Sequence, residues 1–386
     1  MSIRKIAARM RMFLLTTGKS RFLLPLTLVI GLKLLVASAV YTLATQGGAT
    51  FSTFWVHEWG IQYRPNWPLL FHGWDSAWYM RVAREGYSYP AYAFLPAYPF
   101  LIRIVNLLTG EWIASSFVVS FFLGLVAVPM FQLLMEDYMS KSRAMIATLL
   151  FAMFPPVFFF TSIAYTESLF AVAILGTWLF CLRKRWLLSA AFAVIATLTK
   201  VYGLMVSLPL AMHLLKEKRR KEAFLALLIP AVAFLGWNYY MFTLSGDLMA
   251  FWSSQNHWQG GWPFGITSIV RSAVVSVVSA SHGSSLIQER LLVITLWIVV
   301  VSLIGIPVVA SVDVDREFGV YGVLLFLFLA SFGNVWSFGR FLPFILPAWL
   351  TVRTDRRLAT VLSILAFPVV SLVIWYQFVI LGSWIG

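Results

Sequence analysis

Residues 112–135 read WIASSFVVSFFLGLVAVPMFQLLM, without one charged side chain. A helix needs about 20 predominantly apolar residues to cross the hydrocarbon core of a bilayer, and this run exceeds that. Its hydrophobicity is continuous rather than alternating, which excludes an outer-membrane barrel strand. Similar runs recur along the chain. Of its 386 residues, 60% are hydrophobic and only 11% charged, against roughly a quarter charged in an ordinary soluble domain. Mean hydropathy is +0.84. So little polar surface does not coat soluble globules of this size. The fold class that follows is all-α, a polytopic transmembrane helical bundle.

The net charge of +14 would raise nucleic acid as a partner for a soluble protein. Here the positives fall in clumps between apolar runs: six in the first 21 residues, then Arg183-Lys184-Arg185, the cluster within Lys216–Lys221, and Arg353 with Arg356 and Arg357. Short basic loops mark the cytoplasmic side and attract anionic membrane lipids. No basic face interleaved with aromatics lies away from those edges, so nucleic acid is excluded.

Placing every strongly basic loop inside puts the N-terminus in the cytoplasm. Phe22–Leu43 then runs outward to a first external loop at 46–93, large and partly helical, and a second external loop falls at 245–289. Phe94–Leu108 reads as an interfacial helix stopped at Gly110, and Trp112–Met135 crosses inward. Ala144–Phe160 returns with Pro155-Pro156 breaking its last turn, and Ser168–Leu182 goes inward. Trp186–Leu215 is basic at both ends and short for two crossings, so two half-length helices are expected to meet near residues 199–203. Glu222–Leu244, Leu291–Val312, Phe318–Phe332, Phe341–Val352 and Leu358–Ile380 follow as alternating crossings. The total is about eleven helical segments in one integral-membrane domain over residues 1–386. A single cysteine, Cys181, allows no intrachain disulfide.

Five of the 17 tryptophans lie within residues 55–78 (Trp55, Trp59, Trp67, Trp74, Trp78), with His57, Glu58, His72 and Asp75 among them. An aromatic belt at the head-group level accounts for some of these rings. It does not call for a carboxylate between them, as in Gly73-Trp74-Asp75-Ser76-Ala77-Trp78-Tyr79. Aromatic faces stack on sugars and a carboxylate takes a proton from a hydroxyl. Asp75 is therefore a candidate base and Trp74, Trp78 and Tyr79 candidate sugar contacts, the alternative for Asp75 being a solvated loop acid. The histidine and acid spacings match no helical metal motif, and no metal is expected.

Arg81 and Glu85 are spaced to pair on one short helix capped by Gly86. Glu167, after Tyr165 and Thr166, opens an inward helix; helix capping and a place at the site account for it equally well. Lys200 falls near membrane depth at a helix break, where an ionisable group is a functional candidate, with snorkelling as the alternative. Arg340 stands at the outer end of a span, able to hold a lipid phosphate or to anchor at head groups. Lys33, in the middle of the first span, has no account from sequence. No glycine-rich nucleotide loop occurs, no cofactor is expected, and an activated donor would have to be lipid-linked.

Trp74-Asp75-Ser76-x-Trp78-Tyr79-x-x-x-Ala83-x-x-Gly86-Tyr87, Ala93-Phe94-Leu95-Pro96-Ala97-Tyr98-Pro99, Pro155-Pro156 with Tyr165-Thr166-Glu167-Ser168-Leu169-Phe170, and Arg340-Phe341 with Pro347 together resemble the membrane mannosyltransferases that add the second mannose in glycosylphosphatidylinositol-anchor synthesis (the PIG-V family) and their prokaryotic relatives. The order of segments also resembles the broader GT-C superfamily, in which a Thr-Lys-x-x-Gly segment like 199–203 recurs. The resemblance implies a GT-C fold, a polyprenyl-phosphate mannose donor, and metal-independent inverting transfer outside the cytoplasm. It also implies that Asp75, by its place in the first external loop, is the catalytic base.

The function expected is transfer of mannose to a glycolipid or glycan acceptor, with Arg340 and Lys200 on the donor phosphate. Trp74, Trp78, Tyr79, Glu167, Tyr165 and His257 are expected to contact sugar or acceptor. A transporter or flippase for a lipid-linked saccharide is the alternative. Compact loops and the lack of a retention signal favour a prokaryotic plasma membrane over an endoplasmic reticulum membrane. Trp252, Gln255, Asn256, His257 and Trp258 are expected to help select the acceptor, which the sequence does not name.

Overall fold

In the computed structural model the apolar runs fold as helices, and the residues described are 20–46, 67–259, 305–331, 340–351 and 357–379. The helices are α1 (Ser20–Gln46), α2 (Asp75–Glu85), α3 (Ala97–Thr109), α4 (Trp112–Glu136), α5 (Lys141–Met153), α6 (Pro155–Phe160), α7 (Glu167–Leu182), α8 (Trp186–Thr199), α9 (Ser207–Lys216), α10 (Arg220–Ser245), α11 (Ala250–Gln259), α12 (Gly305–Val314), α13 (Arg316–Ser331) and α14 (Arg357–Val379). No strand occurs among the described residues. Among those residues, four helices are long and apolar enough to cross a membrane: Arg21–Gln46, Trp112–Glu136, Arg220–Ser245 and Thr360–Phe378. Each has one internal proline, Pro25, Pro129, Pro230 and Pro368, which neighbouring helices in a membrane bundle make tolerable. Large apolar side chains on their outer faces, such as Leu35, Phe122, Leu235 and Leu365, are exposed, as a lipid-facing surface requires.

Several local expectations hold. α3 stops at Gly110 in the left-handed conformation (φ 70°). Pro155 and Pro156 start α6 as a separate turn after α5. The stretch 186–216 is two half-length helices, α8 and α9, joined by a 3₁₀ segment, Val201–Val206. Gly203 lets that join fold back against the Ala196 carbonyl, where a Cβ would collide with backbone. Arg81 and Glu85 pair at 3.3 Å ahead of Gly86.

One expected crossing does not form. Residues 341–352 have the hydrophobicity of a span, but Leu342–Phe344 and Leu346–Thr351 are 3₁₀ turns. Pro343 and Pro347 remove backbone donors, and twelve residues at ~2 Å each fall short of the ~30 Å hydrocarbon core. The turns instead wedge Leu342, Phe344, Ile345 and Leu346 into the main core beside Phe131, Phe151, Phe170 and Trp178. Trp55, His57, Glu58, Trp59, residues 1–19 of the basic arm, residues 260–304, residues 332–339, Arg353 and Arg356 lie outside the described residues, as does the side chain of Trp258.

Ion pairs mark one end of the bundle. Arg21 meets Glu136 at 3.1 Å, Arg183 meets Asp137 at 3.2 Å, Lys184 meets Glu217 at 3.2 Å and Lys216 meets Glu317 at 3.3 Å. Since α4 and α7 both finish there, the residues at their starts gather at the opposite end.

Candidate active site

Two acids each open a helix, Asp75 on α2 and Glu167 on α7, where the helix dipole favours negative charge. The turn into α2 is tight. Gly73 approaches Phe378 of α14 so closely that a Cβ would meet the ring at 2.5 Å. Trp74 takes a positive φ of 48°, a strained backbone for a bulky residue and one that surrounding structure must hold in place. That structure is on either side: the Trp375 indole donates to the Leu70 carbonyl at 2.7 Å, and His72 is buried with Nε2 2.7 Å from the Ser116 hydroxyl.

Glu167 is reached through a non-helical segment, residues 161–166, held at several points. The Ala164 amide donates to the Phe71 carbonyl at 2.8 Å. The Ser120 hydroxyl donates to the Tyr165 carbonyl at 2.9 Å and accepts from the Tyr165 amide at 3.1 Å. The Asp75 amide in turn donates to the Tyr165 hydroxyl at 3.1 Å. The two helix starts are thus tied directly to each other.

Two cations from distant parts of the chain meet these acids. Arg340 Nη1 lies 3.1 Å from Asp75 Oδ2, and its Nε lies 3.5 Å from Glu167 Oε1. Lys200, at the break between α8 and α9, reaches the same Glu167 oxygen at 3.1 Å. The Phe341 ring stands 4.6 Å from each cation, and the Tyr165 ring 5.5 Å from the guanidinium. Glu167 has a side chain 0% exposed, whereas that of Asp75 is 24% exposed. The formal charges, two negative and two positive, cancel.

The structure therefore brings Asp75, Glu167, Lys200, Arg340, Tyr165 and Tyr79 together. Tyr79 is 3.5 Å from the Thr166 hydroxyl. Burial, then the nearby Asp75 and Glu167, push its phenol well above the usual range, keeping it a neutral hydrogen-bonding group. Trp74 packs at the margin of the Phe159–Trp375–Phe378 cluster. Trp78 is buried, with its ring stacked on Phe94 at 6.1 Å, so that face is not available to a sugar. His257 is elsewhere, exposed on α11 with Nδ1 3.4 Å from the Tyr89 hydroxyl. Beside it Gln255 donates to the Ala93 carbonyl at 3.2 Å.

Sequence reasoning quoted Phe341 beside Arg340 without giving it a role, where the structure sets its ring against both cations, and it missed Ser120 behind Tyr165. The one available signal was that Phe341 follows Arg340; Ser120 carries none. Chemically, the cluster offers one solvent-reachable carboxylate, two cations able to meet an anion, and aromatic walls.

Apolar helices long enough to cross a membrane, with a buried charged centre at one end, define a membrane protein with a polar site. The mannosyltransferase (PIG-V) family model matches residues 52–243, half of the chain. The chain belongs to this family and is a glycosyltransferase, a PIG-V-like mannosyltransferase. The match includes Asp75, Glu167 and Lys200 and ends before Arg340. It favours the enzyme over the transporter or flippase. No curated protein matches the chain.

Proposed function

We propose that this mannosyltransferase moves a mannosyl residue from polyprenyl-phosphate mannose to a hydroxyl of a glycolipid or glycan, on the extracytoplasmic face and with inversion, on a GT-C-type fold. Its N-terminus is in the cytoplasm, in a prokaryotic plasma membrane. Asp75 takes the proton from the acceptor hydroxyl, whose oxygen attacks the anomeric carbon. The bond from that carbon to the phosphate oxygen breaks, and polyprenyl phosphate leaves with the electron pair. Arg340 and Lys200 stabilise the charge growing on that phosphate, the type of electrostatic contribution that dominates many enzymes. Glu167 holds both cations in place between turnovers. Asp75 exchanges its contact with Arg340 for the acceptor hydroxyl when substrates enter.

The observation that carries this reading is the guanidinium of Arg340 spanning two carboxylates, of which only Asp75 is open to solvent. Two cations beside the departing phosphate do the work a divalent metal does in other transferases, so transfer is expected to be independent of chelators. Purified protein in detergent, given radiolabelled polyprenyl-phosphate mannose and a lipid extract, should form a labelled product in the presence of EDTA. A general base contributes ~10²–10⁴-fold, and Asp75→Asn should lose that much activity. An Asp75→Asn variant with half the wild-type rate would remove Asp75 from the reaction.

A further inference from the structure

Lys33 sits midway along α1 and is 2% exposed. Its Nζ donates to the Thr161 hydroxyl at 2.8 Å, with the Phe158 and Phe121 rings 5.6 and 5.9 Å away. The other two buried cations among the described residues, Lys200 and Arg340, have carboxylate partners. Among the described residues no carboxylate pairs with Lys33. A lysine at membrane depth without a counter-charge lowers stability, and such residues persist where they serve function. Tethering α1 to its neighbours needs no ammonium, since small residues and plain packing join membrane helices. What lysine adds is a long arm with a directed bond to one atom.

That atom belongs to the joint on which the site is hung. Thr161 ends α6, its hydroxyl donating back to the Val157 carbonyl at 2.5 Å. Its own carbonyl is wedged against Gly124, where a Cβ would come within 2.6 Å, and accepts from the Ser168 hydroxyl at 3.5 Å. The next residues are the non-helical 162–166, which carry Tyr165 to the Asp75 amide and Glu167 to Arg340 and Lys200. Phe160, the residue before Thr161, has its ring 5.8 Å from the Arg340 guanidinium.

The geometry points to Lys33 as a positioning residue: its bond to Thr161 sets where the 161–166 segment begins, and through Tyr165 and Glu167 it sets the alignment of Asp75, Arg340 and Lys200. This rests on the proposed reaction only in that the aligned groups are those that carry transfer.

The test compares Lys33→Met, Thr161→Val, Thr161→Ser and the Lys33→Met/Thr161→Val pair. Each is purified in detergent and assayed with polyprenyl-phosphate mannose and nucleotide-linked mannose in separate reactions, alongside thermal unfolding. Methionine keeps the length of the arm without the charge. A displacement of about 1 Å can cost ~10²-fold. Lys33→Met and Thr161→Val should each lower kcat about tenfold or more, with donor KM little changed. Tm should not fall in Lys33→Met, which removes the charge, and should fall in Thr161→Val, which leaves the buried ammonium without its acceptor. Thr161→Ser keeps the accepting oxygen and should retain most of kcat. The double variant should be no worse than the poorer single one.

A loss of kcat in Lys33→Met that only tracks a falling Tm, losses that multiply in the double variant, or Lys33→Met with wild-type kcat would each overturn the assignment. Should Lys33→Met not fold, the near-isosteric Thr161→Val decides alone: wild-type kcat there overturns it. Transfer from the nucleotide donor alone would sink the lipid-donor reading, and the variants would then be compared on that donor.

Discussion

The two ends of the bundle use the same residue types to different effect. At the basic end, Arg183 and Asp137 pair with side chains 41% and 37% exposed, and Lys184 and Glu217 with 67% and 38%. Each such pair joins neighbouring loops, and water competes for both partners. At the site end, Glu167 is 0% exposed and shared between Lys200 and Arg340. Exposed pairs contribute ~0–1 kcal/mol, whereas removing one partner of a buried pair costs ~3–5 kcal/mol. These two pairs are thus replaceable contacts, unlike Arg21–Glu136 and Lys216–Glu317 at the same end, whose carboxylate side chains are 11% and 8% exposed. The site end is a unit that fails together.

The sharpest way to break that contrast is Glu167→Gln, which leaves two buried cations without their shared counter-charge. It should lower Tm more than any other single substitution at either end, on the order of 3–5 kcal/mol of stability, together with loss of transfer. An unchanged melting curve would mean that the cluster is wetter than its burial implies. Arg340→Lys comes next: lysine keeps the charge but not the planar fork that reaches two acids. Transfer should fall on the order of tenfold or more, equivalent to about 1.4 kcal/mol, and donor KM should rise; full activity would rule out a bidentate role.

Ser120→Ala removes the hydroxyl that bonds both backbone groups of Tyr165 and should cost about 1–3 kcal/mol in chemical unfolding. At the basic end, Arg183→Ala should change stability by less than about 1 kcal/mol, and by less still in high salt. The smallest effect concerns pH. The hydrogen bond and charge of Lys184 hold the exposed Glu217 carboxyl below its usual value. That contribution is present above the ordinary carboxylate range and is lost as pH falls through the lowered value. Lys184→Ala should therefore slightly flatten the acid side of a Tm-against-pH profile; a steeper one would contradict the pairing.

Much of the helical layout was legible because its causes are local. Apolar runs, the Pro155-Pro156 break, the Gly110 stop and the Arg81–Glu85 spacing all act within a few residues. Residues 341–352 misled because their hydrophobicity suits a span, while Pro343 and Pro347 make 3₁₀ turns the better solution. The candidate residues Asp75, Glu167, Lys200 and Arg340 stood out as charges in apolar surroundings. Their pairing did not, since no periodicity links Arg340 to an acid 265 positions earlier. Trp78 looked like a sugar platform because sequence shows a ring and not what already covers its face. Ser120 is one of many serines on an apolar helix, and only the folded chain shows it behind Tyr165.

The seat of Gly73 against Phe378, with the Trp375 indole on the Leu70 carbonyl, also has a consequence for biogenesis. The strained turn that presents Asp75 is braced by a helix made some three hundred residues later. While the ribosome is still feeding the intervening segments into the bilayer, that brace does not exist. On the reaction proposed above, a chain still being inserted would lack a seated base, and transfer would begin only when α14 is threaded home.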